Sequence, residues 1–420
     1  MRRIAALPAA VLCLFCVLVP LLFAVGLCAW RLGVWHQHWP YDSFLPSVSA
    51  RFGDFAMTQS QWNLYHFHAP GLGLVYFPAT YLPLEGLGLF SVPTAHWIST
   101  VFFLTGSSAA IGFWLRRRGL AVAAIGILLF LISYPTLIAL MTGNIEGWVG
   151  TLLLVAFALN ARGWWKWAAV VLGLAVAMKG IPVAFLPALW VWRDRGQVIR
   201  STAICIGTAV ASTLLALIVL PGGLLDGFGV VSHLRESQIL YSNVLIFTVA
   251  GTHYGNSFLN GVHAFFGEQY LPSRSTWPFV LMIGGFAFGA AMVYALRRGL
   301  PAWMVLALSA SAGCLLVPTS ADYKLLYFLP SIISLLSLES IERRWLPGVV
   351  LTCLIITPKP WGLRAGGGDV FANAGVYLTP LLMIVLSAWI IGLAVATAPA
   401  KSHAHTPSTR VTKPRVSGSN

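Results

Sequence analysis

Ionisable residues are scarce in this chain, and many of them interrupt long apolar runs. The sequence holds 12 acidic and 26 basic residues among 420. A charged side chain at membrane depth is costly and is expected to face a cavity or a partner. The charged residues that the topology below places on one side of a membrane are Asp42, Asp54, Glu146, Lys179, His233, Arg235, Glu236, His253, Asp322, Lys324, Lys359, Arg364 and Asp369. Together they predict a site for a polar, anionic ligand. For any single residue of this set, the alternative explanation is that it anchors the chain at the membrane interface or solvates a loop.

The densest polar group lies in residues 141–195, inside two apolar runs. The segment TGNIEG interrupts the first run and supplies Asn144 and Glu146. Lys179, which is followed closely by a glycine and a proline, interrupts the second run. Broken helices are tolerated in a membrane where the irregular backbone lines a cavity. We therefore expect one wall of the site here. A pair between Lys179 and Glu146 that only stabilises a kinked helix would give the same pattern.

The composition is that of an all-α, polytopic integral membrane protein. Hydrophobic residues make up 58% and charged residues 9% of the chain, with a mean hydropathy of +0.80. Apolar stretches long enough to cross a bilayer recur along its whole length. The net charge of +14 is explained by basic cytoplasmic loops. The expected partner is therefore the lipid bilayer and not a nucleic acid.

Dividing the apolar runs by the ~20 residues that cross a bilayer predicts about 10–12 transmembrane helices. They form one domain, residues 1–398, whose first helix is retained with its N-terminus in the cytoplasm. Residues 31–73 are predicted to be an outer loop with interfacial helices, and residues 221–276 a second outer loop. Residues 399–420 are basic and rich in Ser, Thr and Pro, which is typical of a disordered cytoplasmic tail.

Two segments have more than one possible path. Residues 75–90 are broken by Pro78 and Pro83, so they either cross the membrane or dip in and return. Residues 167–192 lie between basic hinges. If both hinges are cytoplasmic, this segment must form two half-helices that meet near Lys179 and re-enter; if it crosses once, one hinge is outside. We favour the re-entrant path.

The motifs of several enzyme classes are missing from the sequence. It has no glycine-rich phosphate loop and no dinucleotide-binding fingerprint, and no Cys or His spacing typical of a metal site. Cys13 and Cys16 have CxxC spacing, but they lie in an apolar helix without a nearby histidine or acid. We expect no metal, no cofactor and no disulfide framework.

Six segments, taken in chain order, resemble one family. They read DSFLPSVSARFG, YFPATYLPLEGLGLF, TGNIEG, GLAVAMKGIP, GTHYGNSFLNGVHAFFG and PTSADYKLLYFLP, and they are distributed in this order over most of residues 31–382. The set resembles the polyprenol-phosphate-mannose-dependent mannosyltransferases of the GT-C class, glycosyltransferase family 87. The chain departs from the family's pattern at Asn144, where a glutamine is usual, and at GNSF, where the family has GNQS.

The resemblance implies a GT-C-like bundle in the plasma (inner) membrane. It implies that a hexose, with mannose as the first candidate, is transferred from a polyprenyl-phosphate donor to a glycan or glycolipid acceptor on the non-cytoplasmic face. The anomeric carbon is inverted, and no metal is required. Asp42 is the first candidate for the general base, and Asp54 is the second. The implied substrate-binding residues are Lys179, Asn144, Glu146, Asn256, Asp322, Tyr323 and Lys324.

Two other functions fit parts of the sequence. In a transporter or flippase of lipid-linked sugars, the same buried charges would form a permeation path. In a non-catalytic subunit of a glycan-assembly complex, Asp42 would be dispensable. The absence of a convincing internal duplication and the large acid-bearing first loop favour the transferase.

Overall fold

The computed structural model describes residues 3–36, 52–65, 76–191, 194–222, 236, 255–266, 271, 276–317, 320–359, 362–364 and 371–397. Within them the α-helices are α1 (Ala6–Trp35), α2 (Gly53–Tyr65), α3 (Tyr81–Leu87), α4 (Val92–Leu115), α5 (Leu120–Ile132), α6 (Tyr134–Thr142), α7 (Glu146–Ala161), α8 (Trp165–Lys179), α9 (Arg195–Val219), α10 (Phe258–Phe266), α11 (Trp277–Arg297), α12 (Ala302–Leu315), α13 (Leu329–Leu336), α14 (Leu346–Ile355) and α15 (Ala374–Ala396). Short 3₁₀ helices join several of them, among them Pro78–Thr80, Ile181–Trp190 and Asp322–Phe328.

Five of the described helices are long and apolar enough to cross a membrane, namely α1, α4, α9, α11 and α15. The pair α5 and α6 adds a sixth if it is one span bent by 52°. The bend follows from Ser133, whose backbone is extended, and from Pro135 in the first turn of α6. The predicted all-α, polytopic class is confirmed, whereas the count of 10–12 spans remains a prediction.

The centre of the bundle is α12. Every residue from 303 to 315 is buried, and a helix that is apolar all round belongs in a core. The 3₁₀ helix Ile181–Trp190, α11, α13 and α15 contact it. By contrast, α9 and α11 keep wide apolar faces exposed, for example Ile218 at 61% and Phe286 at 74%. These faces are where lipid would contact the protein.

The chain reverses at Gly180, as the re-entrant path requires. Gly180 has φ +67° and ends α8, and a 3₁₀ helix with prolines at 182 and 187 follows. Ala188, near the end of that 3₁₀ helix, lines a cavity together with Asn160 and Gly163, which lie just before the start of α8. The segment therefore returns to the end of the bundle from which α8 set out. Its second half is a 3₁₀ helix because the prolines remove N–H donors.

Residues 76–90 do not cross the bundle. They form the 3₁₀ helix Pro78–Thr80 and the seven-residue α3, and a helix of seven residues is only ~10 Å long. Thr80 donates to the carbonyl of Met178 at 2.6 Å, which satisfies an orphan acceptor at the end of α8. The described part of this segment holds no helix long enough to cross a membrane, which favours the path that dips in and returns.

Two small antiparallel ribbons complete the described structure. Strand β1 (Arg3–Ala5) pairs with β2 (Ser340–Glu342), so the two paired segments are more than 300 residues apart in the chain. Strand β3 (Gly362–Arg364) pairs with β4 (Phe371–Asn373). Asp42, most of residues 221–276 and the tail 399–420 lie outside the described residues, as do His233, Arg235, His253 and Asp369.

Candidate active site

The turn between α6 and α7 is formed by Gly143 and Asn144. Gly143 has φ +67° and ends α6 in the left-handed conformation, which favours glycine. A Cβ there would lie 2.7 Å from the Cβ of Phe55 and 3.0 Å from the ring of His96. The Asn144 side chain accepts a hydrogen bond from the backbone N–H of Glu146 at 2.9 Å and so satisfies one of the free donors at the start of α7.

Asp54 reaches the same turn from α2. The amide nitrogen of Asn144 donates to Asp54 Oδ2 at 2.8 Å, although the two residues are 90 positions apart. Helix α2, which carries Asp54, is held by a backbone bond from Phe52 to Met141 O at 2.6 Å. At its other end Trp62 donates to Glu85 Oε2 at 2.7 Å. These contacts fix the height and rotation of α2 above the bundle.

The pKa of Asp54 is shifted by this position. Burial raises the pKa of its carboxyl above the ordinary value, while the side chains of Asn144, Lys179 and Thr142 act in the opposite direction. Asp54 lies in α2, outside the candidate membrane-spanning helices. A half-buried carboxylate with a raised pKa is a better proton acceptor than an ordinary one.

Glu146 and Lys179 form a buried ion pair behind this turn. Lys179 Nζ lies 2.8 Å from Glu146 Oε1, and the Glu146 side chain is fully buried. Tyr327 donates to the other carboxylate oxygen at 2.6 Å. The Lys179 side chain is 13% exposed, and its ammonium lies over the rings of Tyr76 at 4.7 Å and Tyr323 at 5.8 Å. Lys179 is thus the member of the pair that a ligand can reach.

The 3₁₀ helix Asp322–Phe328 brings a second set of side chains to Glu146. With three residues per turn, positions three apart share a face, so Lys324 and Tyr327 lie on the same side. Lys324 is 1% exposed and lies within electrostatic range of Glu146 and Lys179. It is therefore attracted by the Glu146 carboxylate and repelled by the Lys179 ammonium.

Asp322 belongs to a neighbouring polar cluster. It accepts a hydrogen bond from Tyr134 at 2.6 Å and is 3% exposed. Asn256 accepts from the hydroxyl of Ser320, two residues before Asp322. The ammonium of Lys359 donates to three carbonyls at the end of α14, the closest at 2.9 Å, and is electrostatically coupled to Asp322.

An apolar groove lies on the side of the bundle, beside the end of α8. It has a volume of about 470 Å³ and lies between α3, α4 and α7; its lining includes Leu87, Phe90, Ile98, Phe102 and Met178. Phe90, Ile98 and Phe102 are each more than 40% exposed. The groove thus opens towards the lipid-facing surface and ends at the residue before Lys179.

The structure brings most of the predicted site residues to one end of the bundle, which we call the Asp54 end. Asp54, Asn144, Glu146, Lys179, Tyr323 and Lys324 form one connected group, and Asp322 and Asn256 belong to the adjacent cluster. Asp42 lies outside the described residues. Tyr327, Tyr134 and His96 were not predicted. The spacing of three from Lys324 to Tyr327 could have indicated Tyr327 only if the 3₁₀ conformation had been known.

The chain was also compared with known protein families. Residues 68–318 match glycosyltransferase family 87, which is more than half of the chain. The match includes Asn144, Glu146, Lys179 and Asn256, whereas Asp54 precedes it. No curated protein matches the chain. The protein is a multi-pass membrane glycosyltransferase, and it belongs to glycosyltransferase family 87.

Proposed function

We propose that the protein transfers mannose from a polyprenyl-phosphate carrier to a glycan or glycolipid. The reaction takes place on the non-cytoplasmic face of the plasma membrane, at the Asp54 end of the bundle. The observation that carries the proposal is that Met178, the residue before Lys179 in α8, lines the apolar groove, so that the groove and the ammonium lie at the same end of one helix. A donor with an apolar chain and a phosphate needs these two features side by side.

The chemistry is a single displacement at the anomeric carbon. A carboxylate of the first outer loop removes the proton from the acceptor hydroxyl, whose oxygen forms the new glycosidic bond. The bond between the anomeric carbon and the phosphate oxygen breaks, and the electron pair leaves with the polyprenyl phosphate. Lys179 stabilises the negative charge that develops on the leaving phosphate. One displacement inverts the configuration.

Two carboxylates are proposed for the proton transfer. Asp42 is the first candidate on the family resemblance. Asp54 is the second, and its support is the hydrogen bond from Asn144 and the raised pKa. Glu146 is buried and pairs with Lys179, so we assign it to holding Lys179 in place. Lys324 is also buried, and we assign it to balancing the negative charge of Glu146.

Transfer by purified protein from a labelled polyprenyl-phosphate mannose tests the activity. Removal of a general base typically costs about 10²–10⁴-fold in rate, so one of Asp42→Asn and Asp54→Asn should lose that much. Unchanged transfer in both variants would rule out an acid of this loop as the base. A nucleotide-linked sugar that serves as donor in place of the lipid-linked one would contradict the donor assignment.

The groove is tested with donors of different chain length. Leu87→Trp fills the groove and should raise KM for a long-chain donor while leaving KM for a short-chain donor nearly unchanged. Leu89→Trp is the control because Leu89 is 85% exposed and does not line the groove. Equal effects of the two variants, or equal effects on the two donors, would contradict the placement of the chain.

The alternative is a flippase for lipid-linked sugars, since buried charges also mark transport paths. Proteoliposomes that contain the donor on one leaflet separate the two functions. Movement of the lipid-linked sugar without any transfer to an acceptor would favour the flippase.

A further inference from the structure

The opposite end of the bundle carries a basic cluster without acidic partners. Helix α7 has 16 residues and is therefore ~24 Å long, with Glu146 at one end and Arg162 beyond the other. Arg116 and Arg117 are exposed at the end of α4. Within the described residues, Arg116, Arg117 and Arg162 form no ion pair with an acid, whereas the neighbouring Arg118 pairs with Glu339 at 3.5 Å.

Two of these arginines flank one aromatic ring. The guanidinium of Arg116 lies 5.0 Å from the centre of the Phe113 ring, and that of Arg162 lies 4.9 Å from it. Arg162 donates to the carbonyl of Phe113 through Nη2. Its Nε and Nη1 atoms are buried and have no hydrogen-bond acceptor in the part of the chain that the structure describes. A buried charged donor without an acceptor is unfavourable, and an anion would supply one.

An open groove adjoins this cluster. It has a volume of about 520 Å³ and is lined by Leu159, Trp164, Trp165, Lys166, Trp167 and Val171. The ring of Phe113 contacts that of Trp164, with 5.9 Å between their centres, so the groove lies next to the arginines that flank Phe113. Trp164 and Trp167 are 55% and 65% exposed.

We infer that the groove around Trp164 and the arginine cluster beside it together bind one anionic phospholipid, taken from the membrane leaflet at this end of the bundle. The acyl chains lie against Leu159, Trp167 and Val171, and the phosphodiester is held by Arg116, Arg162 and Lys166. The shape favours a lipid over a free anion, because most of the lining is apolar and the cations lie at one edge. Guanidinium groups suit the phosphate because they donate several hydrogen bonds in a fixed plane.

The competing explanation is general attraction between a basic surface and an anionic leaflet. That attraction depends on the number of charges and little on their position. The double variant Arg116→Gln with Arg162→Gln removes two charges from the proposed site. The matched control, Arg195→Gln with Arg200→Gln, removes two charges from exposed positions at the start of α9, near the same end of the bundle.

Native mass spectrometry of the detergent-purified full chain measures the apparent Kd for phosphatidylglycerol and phosphatidylcholine. We expect the site variant to bind phosphatidylglycerol at least about tenfold more weakly than the control variant, a difference that corresponds to 1.4 kcal/mol. Phosphatidylcholine should bind weakly to both, and millimolar inorganic phosphate should not displace the lipid. Equal loss in the two variants, equal binding of the two lipids, or displacement by phosphate would each overturn the inference.

Photocrosslinking keeps the test valid if the site variant does not fold. Wild-type protein is labelled with phosphatidylglycerol that carries a photoreactive group on an acyl chain. The label should concentrate on the peptide containing residues 159–171. Label spread over all exposed apolar helices, such as α9 and α11, would overturn the inference.

Discussion

Lys179 and Glu146 have a structural and a chemical role that can be separated. Breaking one partner of a buried ion pair costs ~3–5 kcal/mol because the other charge is left buried and unpaired. Lys179→Met should therefore lower the free energy of unfolding by about that amount. The double variant Lys179→Met with Glu146→Gln should recover most of it.

Transfer activity gives the second half of this prediction. We expect the double variant to be stable and still inactive, because the phosphate of the donor has lost its cation. Thermal unfolding in detergent and transfer from the labelled donor are measured on the same preparations. Activity that returns together with stability would show that Lys179 only stabilises the broken helix.

The raised pKa of Asp54 predicts the pH dependence of the reaction if Asp54 is the base. A base works only when ionised, so activity is present above the raised pKa and is lost as the pH falls through it. The acid limb of kcat/KM should therefore lie at a higher pH than the ordinary carboxyl value of ~4. Residual transfer by Asp54→Asn should lack this limb. A limb that persists in Asp54→Asn and is absent from Asp42→Asn would assign the proton transfer to Asp42.

At the scale of elements, Gly143 sets how closely α2, α4 and α7 meet. Gly143→Ala should destabilise the protein by more than the ~1–2 kcal/mol of the left-handed conformation alone, since its Cβ would overlap Phe55 and His96. Gly299→Ala is a close control because Gly299 has φ +66° and open space around it. Equal melting temperatures for the two variants would show that a Cβ at position 143 is accommodated beside Phe55 and His96.

The elements that could be predicted from the sequence are those whose shape is set by neighbouring residues in the chain. The reversal near Lys179 follows from the basic hinges and the adjacent glycine and proline, and the broken path of residues 76–90 follows from its prolines. The contact between Asp54 and Asn144 could not be predicted, because it depends on how α2 lies across helices 90 residues further on. The 3₁₀ period that turns Lys324 and Tyr327 towards Glu146 has no signal in an apolar sequence.

For the whole molecule, the distribution of charge predicts the orientation in the membrane. Arg116, Arg117 and Arg162 should lie on the cytoplasmic side, and Asp54 on the other. A cysteine placed at exposed Ser60 of α2 should react with an impermeant maleimide in intact cells, in a background where the six native cysteines are alanine. A cysteine at Arg117 should react only after permeabilisation. The reverse pattern would invert the topology.

The pairing of β1 with β2 has a consequence for the order of biosynthesis. Residues 3–5 leave the ribosome more than 300 residues before their partners at 340–342. At a synthesis rate of ~5–20 residues per second, β1 remains without its partner strand for on the order of tens of seconds. The helices between them enter the membrane during that interval. The ribbon can therefore form only late in synthesis, when it joins the start of α1 to the segment between α13 and α14.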